Sequence, residues 1–288
     1  MAAIARLAPA KVNLFLHVGP LEADGYHPLA SLVAFADVGD RLTVEPADLL
    51  SLAVTGPFAA ALAEEGDNLV LRAVRALGTA AGIREPGLAL TLDKQLPVAA
   101  GLGGGSSDAG AALKLARDVL GLALDDAALV GIAAGIGADG PMCLHARAAW
   151  AEGRGDVLTF ETGLPPLPTL LVNPGVPSST GAVYRAFDAG IPGRADRPAP
   201  PADWRVSSVI DWLAAQRNDL QAPAVALAPA IGEALSVTAA LPGVRLARMS
   251  GSGATVFALF DTIAAAKAAG EILGGDRPDW WVRPTLLR

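Results

Sequence analysis

The stretch PVAAGLGGGSSD, Pro97 to Asp108, runs straight into AGAALKLARDVLGL, Ala109 to Leu122, and that junction decides how the chain is read. Gly101, Gly103, Gly104 and Gly105 fill four of five successive positions, so backbone N–H groups there can close on an oxygen-rich ligand. The helix that follows adds about half a positive charge at its start. Ser106 and Ser107 add hydroxyl donors, or Ser106 simply caps the helix. A flexible connector is the plain alternative, but such linkers rarely run directly into a strong helix, and a phosphate cradle fits the context better. The loop is not a P-loop, because Ser106 stands where that pattern needs Lys after its last Gly. Nor is it the dinucleotide fingerprint, since counting G-x-G-x-x-G from Gly101 puts Ser106 at the third glycine.

Working outward, hydrophobic period predicts strands at Val12 to Val18, Ala30 to Val38 and Arg41 to Val44, with a turn-rich loop from Glu22 to Pro28. Asp67 caps a predicted helix whose apolar positions Leu69, Val70, Val74 and Leu77 recur at helical spacing before Gly82. A strand at Leu88 to Leu92 precedes the glycine loop. Beyond it, Asp125 and Asp126 cap a helix over Ala127 to Ile136 that ends at Gly137, and a strand is expected through Cys143 and Ala149 to Glu152. The proline-rich segment Thr162 to Pro201 marks the passage to a second region. There the pattern predicts strands at Thr169 to Val172 and Ala254 to Phe260, with helices at Ser207 to Ala215, Ala224 to Ser236 and Ile263 to Leu273.

Composition bounds the function. A chain of 288 residues, 52% hydrophobic and 18% charged, is globular. It buries about three-quarters of its unfolded surface without needing disulfides. With 22 Lys plus Arg against 29 Asp plus Glu, the net charge of −7 argues against nucleic-acid binding, so any anion is held locally. The longest uncharged run, Thr162 to Tyr184, carries five prolines and cannot be a spanning helix. Its single cysteine, Cys143, excludes an internal disulfide and a cysteine-based metal cluster. Cys143 and Trp150 read as core, because neither has a partner at metal-ligand spacing. These features point to a soluble cytoplasmic protein with no membrane partner; composition does not set its oligomeric state, for which a monomer or weak homodimer is the expectation.

PVAAGLGGGSS resembles the P-x-x-x-G-L-G-S/G-S-S motif of the small-molecule kinases named for galactokinase, homoserine kinase, mevalonate kinase and phosphomevalonate kinase. APAKVNLFLHV (Ala8 to Val18), DGYHPLASL (Asp24 to Leu32), DNLVLRA (Asp67 to Ala73), GADGPMC (Gly137 to Cys143), NPGVPSSTGAVY (Asn173 to Tyr184), NDL (Asn218 to Leu220) and MSGSGATVFALF (Met249 to Phe260) continue the likeness in order. Taken together they look most like the member whose acceptor is a cytidine-diphosphate-linked methylerythritol, phosphorylated on its C2 hydroxyl in non-mevalonate isoprenoid synthesis.

The resemblance implies an α+β protein of two domains, 1–160 on the ATP and catalytic side and 161–288 on the substrate side, with the active site in the cleft between them. ATP would lie on Pro97, Val98, Ala99, Ala100, Gly101, Leu102, Gly103, Gly104, Gly105, Ser106 and Ser107, with Asn68 and Lys94 towards the adenine. For Lys94 a surface lysine at a strand end is nearly as good a reading. Mg²⁺ would arrive with the nucleotide, since no His/Asp/Glu cluster reads as a dedicated metal site. The family's general base falls on Asp139, whose other reading is a loop cap, and its catalytic lysine on Lys11. Tyr26 and Tyr184 would sandwich the cytosine, with His27 at its Watson–Crick edge. Thr180 lies just before Tyr184, and Asn13 would complete the polar contacts. The loop Ser250-Gly251-Ser252-Gly253 would pack against the glycine loop as support.

The chain departs from the family where Gly140 replaces a bulky apolar residue and where Met142 and Cys143 stand in place of frequent aromatics. Gly110 replaces a usual Ala at about 1 kcal/mol of helix preference, unless close packing demands it. The rivals are a superfamily kinase acting on homoserine or a mevalonate derivative, which would have no use for the Asp24 to Pro28 loop, and a non-catalytic relative that binds ATP and sugar to regulate a partner. The joint presence of Lys11 and Asp139 argues against the second.

Overall fold

The structure is a computed structural model that describes residues 3–62, 68–191 and 193–288. The chain forms two compact units. Unit 1 comprises Met1–Ala10, Val38–Val98 and Gly103–Ala146, and unit 2 comprises Lys11–Asp37, Ala99–Leu102 and Arg147–Arg288. This grouping differs from a sequential division at 160/161, because two long strands and the glycine loop carry the chain from one unit to the other. Strands β1 (Ile4–Asn13) and β3 (Leu29–Pro46) both straddle a unit boundary.

In unit 1, β4 (Ser51–Thr55) runs parallel to β5 (Leu88–Asp93), which is antiparallel to the second half of β3, with Leu42 opposite Leu92 and Val44 opposite Leu90. Leu88, Leu90 and Leu92 alternate along β5 and all point into the core. Helices α1 (Leu69–Ala80), α2 (Gly104–Val119), α3 (Asp126–Ile136) and α4 (Gly140–His145) complete the unit, with a 3₁₀ turn at Ala59–Leu62. Val70, Ala73, Val74 and Leu77 form one buried stripe on α1 and join the β5 leucines in one core. Asp67 lies outside the described residues. The α1 cap is Asn68, whose Oδ1 accepts from the Val70 N–H at 2.9 Å. Asp125 caps α3 in the same way through Ala128.

Gly110 is demanded by packing, since a Cβ there would sit 3.0 Å from the Leu144 backbone of α4. Gly140 is stricter, because its Cβ would lie 2.0 Å from the Ala133 carbonyl oxygen of α3. The departure from the family at this position therefore marks a close helix approach. Cys143 is helical, in α4, and the expected strand begins only at Ala149.

In unit 2, β2 (His17–Val18) and β6 (Ala149–Gly153) pair with the first half of β3, Leu32 facing Trp150, and β7 (Val157–Phe160) pairs with β6. The expected Val12 to Val18 strand thus splits between the end of β1 and β2. Strand β8 (Leu167–Asn173) is buried at every position and is flanked by β10 (Val256–Leu259) and β11 (Trp281–Leu287); β9 (Leu246–Met249) pairs with β10. Phe35 of β3 and Arg288 exchange two backbone hydrogen bonds of 2.8 Å. The helices are α5 (Thr180–Asp188), α6 (Val206–Ala214), α7 (Gln221–Leu227), α8 (Pro229–Ala239) and α9 (Ile263–Asp276). The single helix expected over Ala224 to Ser236 is two, because Pro229 drives Ala228 out of the helical region to φ −136°, ψ 85°. Cys143 and Trp150 are buried as expected. Among the described residues, no helix is long and apolar enough to cross a membrane.

Candidate active site

The glycine loop is shaped by its backbone. Within unit 2, Ala99 (φ 51°) and Gly101 (φ 73°) adopt left-handed conformations. A Cβ on Gly101 would lie 2.4 Å from the Ser250 carbonyl oxygen, so only glycine fits. The Ser250 hydroxyl donates to the Gly101 carbonyl at 2.9 Å, and the Thr255 N–H donates to the Ala100 carbonyl at 3.1 Å. The Ser250 to Gly253 loop therefore packs on the glycine loop, as the resemblance implied. Asn218 pins that support by donating from Nδ2 to the Met249 and Gly251 carbonyls, each at 2.8 Å.

Within unit 1, Gly103 (φ 60°) is the N-cap of α2 and provides no side-chain cap. Ser106 is therefore inside the helix and does not cap it. The first bond into α2 runs from the Ser107 N–H to the Gly103 carbonyl at 2.9 Å, so the N–H groups of Gly104, Gly105 and Ser106 stand ahead of the helical ladder. They form the mouth of a 16-residue helix, the arrangement that suits an anion. The Ser107 hydroxyl is buried without a hydrogen-bond partner.

Lys94 is buried beneath this turn, which removes its reading as a surface residue. Its Nζ donates to Asp40 Oδ2 at 2.5 Å and Asp108 Oδ2 at 2.8 Å, and lies 3.1 Å from where a Gly104 Cβ would be. Asp40 Oδ1 in turn accepts from the Gln95 and Leu96 N–H groups. Burial works to lower the Lys94 ammonium, but the Asp108 and Asp40 carboxylates outweigh it and hold it above the ordinary lysine value. Burial pushes Asp108 up to about 7; the Asp40 charge adds to the rise and the Lys94 charge opposes it. Asp108 Oδ1 is buried and unpartnered.

Asp139 immediately precedes α4, and its carboxylate makes no cap bond to that helix, so capping does not explain it. Lys11, in β1, is buried, and its N–H donates to the Leu102 carbonyl at 2.8 Å. Lys11 belongs to unit 2 and Asp139 to unit 1. Asn13 is tied within unit 2, its N–H bonded to the Ser250 hydroxyl and its Nδ2 to Ser31 Oγ at 2.8 Å. Asn68 spends its Oδ1 on the α1 cap.

The aromatic group lies wholly in unit 2. Tyr184 stacks on His27, with centroids 5.1 Å apart and planes tilted by 31°, and Phe187 meets the same imidazole edge-on. Tyr26 is 53% exposed, and the Arg154 guanidinium sits 4.3 Å over its ring while also pairing with Asp24. His27 Nδ1 lies 2.9 Å from the Gly19 carbonyl oxygen, and Nε2 lies 3.2 Å from Asp188 Oδ1. Thr180 Oγ1 is 2.9 Å from Ser252 Oγ.

Sequence reasoning missed Asp40, the carboxylate role of Asp108, Asp188, Arg154 and Arg248. Arg248 is buried and donates to the carbonyls of Leu14, Leu213 and Gln216, and burial pushes its guanidinium down to about 10. No local pattern flags Asp40 or Arg248, since Asp37 and Arg41 stand beside the first and Arg245 beside the second. Their partners are remote in sequence and left no mark.

Residues 68–147 match the GHMP kinases N terminal domain and residues 207–275 match GHMP kinases C terminal. The mevalonate kinase structure from Methanococcus jannaschii shares the fold, with a TM-score of 0.69 at 12% identity over 99% of this chain and 98% of that one. The chain belongs to the GHMP kinases. A 4-diphosphocytidyl-2-C-methyl-D-erythritol kinase of Caulobacter vibrioides is 54% identical over 287 residues, 99% of both chains, and one of Dinoroseobacter shibae is 49% identical over 289 residues, 99% of this chain and 95% of that one. A crystal structure of 4-(cytidine 5'-diphospho)-2C-methyl-D-erythritol kinase superposes with a TM-score of 0.79 at 36% identity over 99% of each chain. Within the GHMP kinases, this chain belongs to the 4-diphosphocytidyl-2-C-methyl-D-erythritol kinase family.

Proposed function

We propose that the chain transfers the γ-phosphoryl group of ATP to the C2 hydroxyl of 4-diphosphocytidyl-2-C-methyl-D-erythritol, a step of non-mevalonate isoprenoid synthesis. The observation that carries this reading is the mouth of α2, where Gly103 turns the chain and three N–H groups stand ahead of the helical ladder. The phosphates rest there, with the segment Pro97 to Ser107 around them and Asn68 and Lys94 on the adenine side. Asp139 accepts the proton of the C2 hydroxyl as its oxygen bonds to the γ-phosphorus, and the bond to the β–γ bridging oxygen breaks to release ADP. The Lys11 ammonium offsets charge on the transferring group.

Among the described residues no group of three or more His, Cys, Asp or Glu could hold a metal ion, and in this reading the ion comes with the nucleotide. Mg²⁺ so carried neutralises phosphate charge. Tyr26, His27, Thr180, Tyr184 and Asn13 receive the acceptor. In this reading residues 1–160 serve the nucleotide, residues 161–288 serve the acceptor, and the enzyme works in the cytoplasm as a monomer or weak homodimer.

The test is ADP release with Mg-ATP and the cytidylyl acceptor, beside homoserine, mevalonate and galactose. Turnover with the cytidylyl acceptor alone supports the reading, and preference for another acceptor defeats it. Lys11→Ala and Asp139→Ala should each lower turnover by about 10²–10⁴-fold with the thermal midpoint nearly unchanged. A near-wild-type rate in either variant removes that residue's role.

A further inference from the structure

Two loops of unit 2 meet at the start of α5, and Ser252 joins them twice. The Ser252 carbonyl accepts from the Ser178 hydroxyl at 2.6 Å, and Ser252 Oγ lies 2.9 Å from Thr180 Oγ1. Thr180 is the first residue of α5, but its hydroxyl does not cap the helix, because Ser179 fills that place by accepting from the Ala182 N–H. The loop that carries Ser252 is itself fixed. The Gly253 N–H donates to the Ser250 carbonyl and the Ser250 N–H to the Thr255 carbonyl, each at 2.9 Å, and Asn218 holds the Gly251 carbonyl. Ser252 is buried and Thr180 is exposed, so the pair runs from a fixed interior hydroxyl to one that a ligand can reach.

Each hydroxyl has one hydrogen and two lone pairs, so within the pair one member donates and the other accepts. The oxygens of an ionised diphosphate accept and do not donate. Thr180 meets such an oxygen only by donating to it, and its bond with Ser252 is then one that it accepts. We infer that Ser252 is a positioning residue for the acceptor: its hydroxyl donates to Thr180 and turns the Thr180 hydrogen outward, towards an oxygen of the acceptor's diphosphate. The bond from Ser178 goes to the Ser252 backbone, so removing the Ser252 hydroxyl leaves the loop junction standing and isolates its effect on Thr180. This rests on the reading of Thr180 as a contact to the acceptor.

The experiment is a double-mutant cycle on the full chain, with kcat, KM for the cytidylyl acceptor, KM for ATP and the thermal midpoint measured for the wild type, Ser252→Ala, Thr180→Val and the double variant. Thr180→Val should raise KM for the acceptor by roughly 10- to 100-fold, and Ser252→Ala by about 3- to 10-fold, each with KM for ATP unchanged. The double variant should match Thr180→Val alone, because Ser252 has nothing left to aim. Ser252→Thr, which keeps the hydroxyl, should restore the wild-type KM. Losses that multiply in the double variant would overturn the inference while leaving Thr180 as an acceptor contact. A Ser252→Ala variant in which KM for ATP rises as much as KM for the acceptor would also overturn it, since the hydroxyl would then serve the loop as a whole. An unchanged acceptor KM in Thr180→Val would instead defeat the reading of Thr180, and the inference with it.

Discussion

Two carboxylate-and-cation sites in this molecule are built in opposite ways. In unit 1, Asp40, Lys94 and Asp108 meet beneath the glycine loop with almost no water, Lys94 being 2% exposed. In unit 2, Arg154 pairs with Asp24 and lies over the Tyr26 ring, and Asp188 meets His27, with Asp24, Tyr26, Arg154 and Asp188 all in partial contact with solvent. The first set cannot be screened, so each member is held by the others and the backbone above it is fixed. The second set trades partners with water at little cost, which suits side chains that must meet a ligand. Desolvation separates the two, although both rest on aspartates set against cationic or imidazole partners.

This contrast can be broken by experiment. Lys94→Ala leaves two buried carboxylates facing each other and should cost about 3–5 kcal/mol in denaturant unfolding. A loss near that of a surface substitution would erase the distinction. Asp108→Asn sharpens it through pH. Because the folded-state value of Asp108 is raised from 3.8 to about 7, its contribution is fully present at low pH and is lost as pH climbs through that window. The unfolding free energy of Asp108→Asn should therefore gain on that of the wild type from pH 4 to pH 7, by about 1 kcal/mol or more, with the thermal midpoint following it, and stay level above it. Parallel midpoint curves would mean that Asp108 does not titrate there. At the exposed end, Arg154→Ala should change stability by no more than about 0.5 kcal/mol. A loss comparable to that of Lys94→Ala would show the surface cluster to be structural after all.

The same contrast explains what could be read in advance. The glycine loop was legible because a backbone that must pass within contact distance of the Ser250 carbonyl permits only glycine at position 101. Helix α1 was legible from its periodic stripe, and so was most of β8. A cap at Ser106 would start α2 three residues late, because Gly103 caps it through left-handed backbone geometry that no side-chain hydroxyl announces. Strands β9 and β11 went unseen, since Leu246–Met249 is short and Trp281–Leu287 contains Arg283 and Pro284, which mask its alternation. The Asp40–Lys94–Asp108 cluster joins residues up to 68 positions apart in sequence (108 − 40), and nothing local announces such a pairing. Asp139 and Lys11 came from the family likeness, because a lone carboxylate and a lone amine carry no pattern of their own.

The two hydrogen bonds between Phe35 and Arg288 also bear on how the protein is made. A ribosome delivers Phe35 early and Arg288 only after the other strands of unit 2, so the sheet in which β8 lies between β10 and β11 closes late. Until then the nascent chain carries an open strand edge able to pair with another copy. Expression that is slow, warm or crowded should therefore favour aggregation before the last forty residues emerge, and a chaperone that shields that edge would raise the yield of folded enzyme.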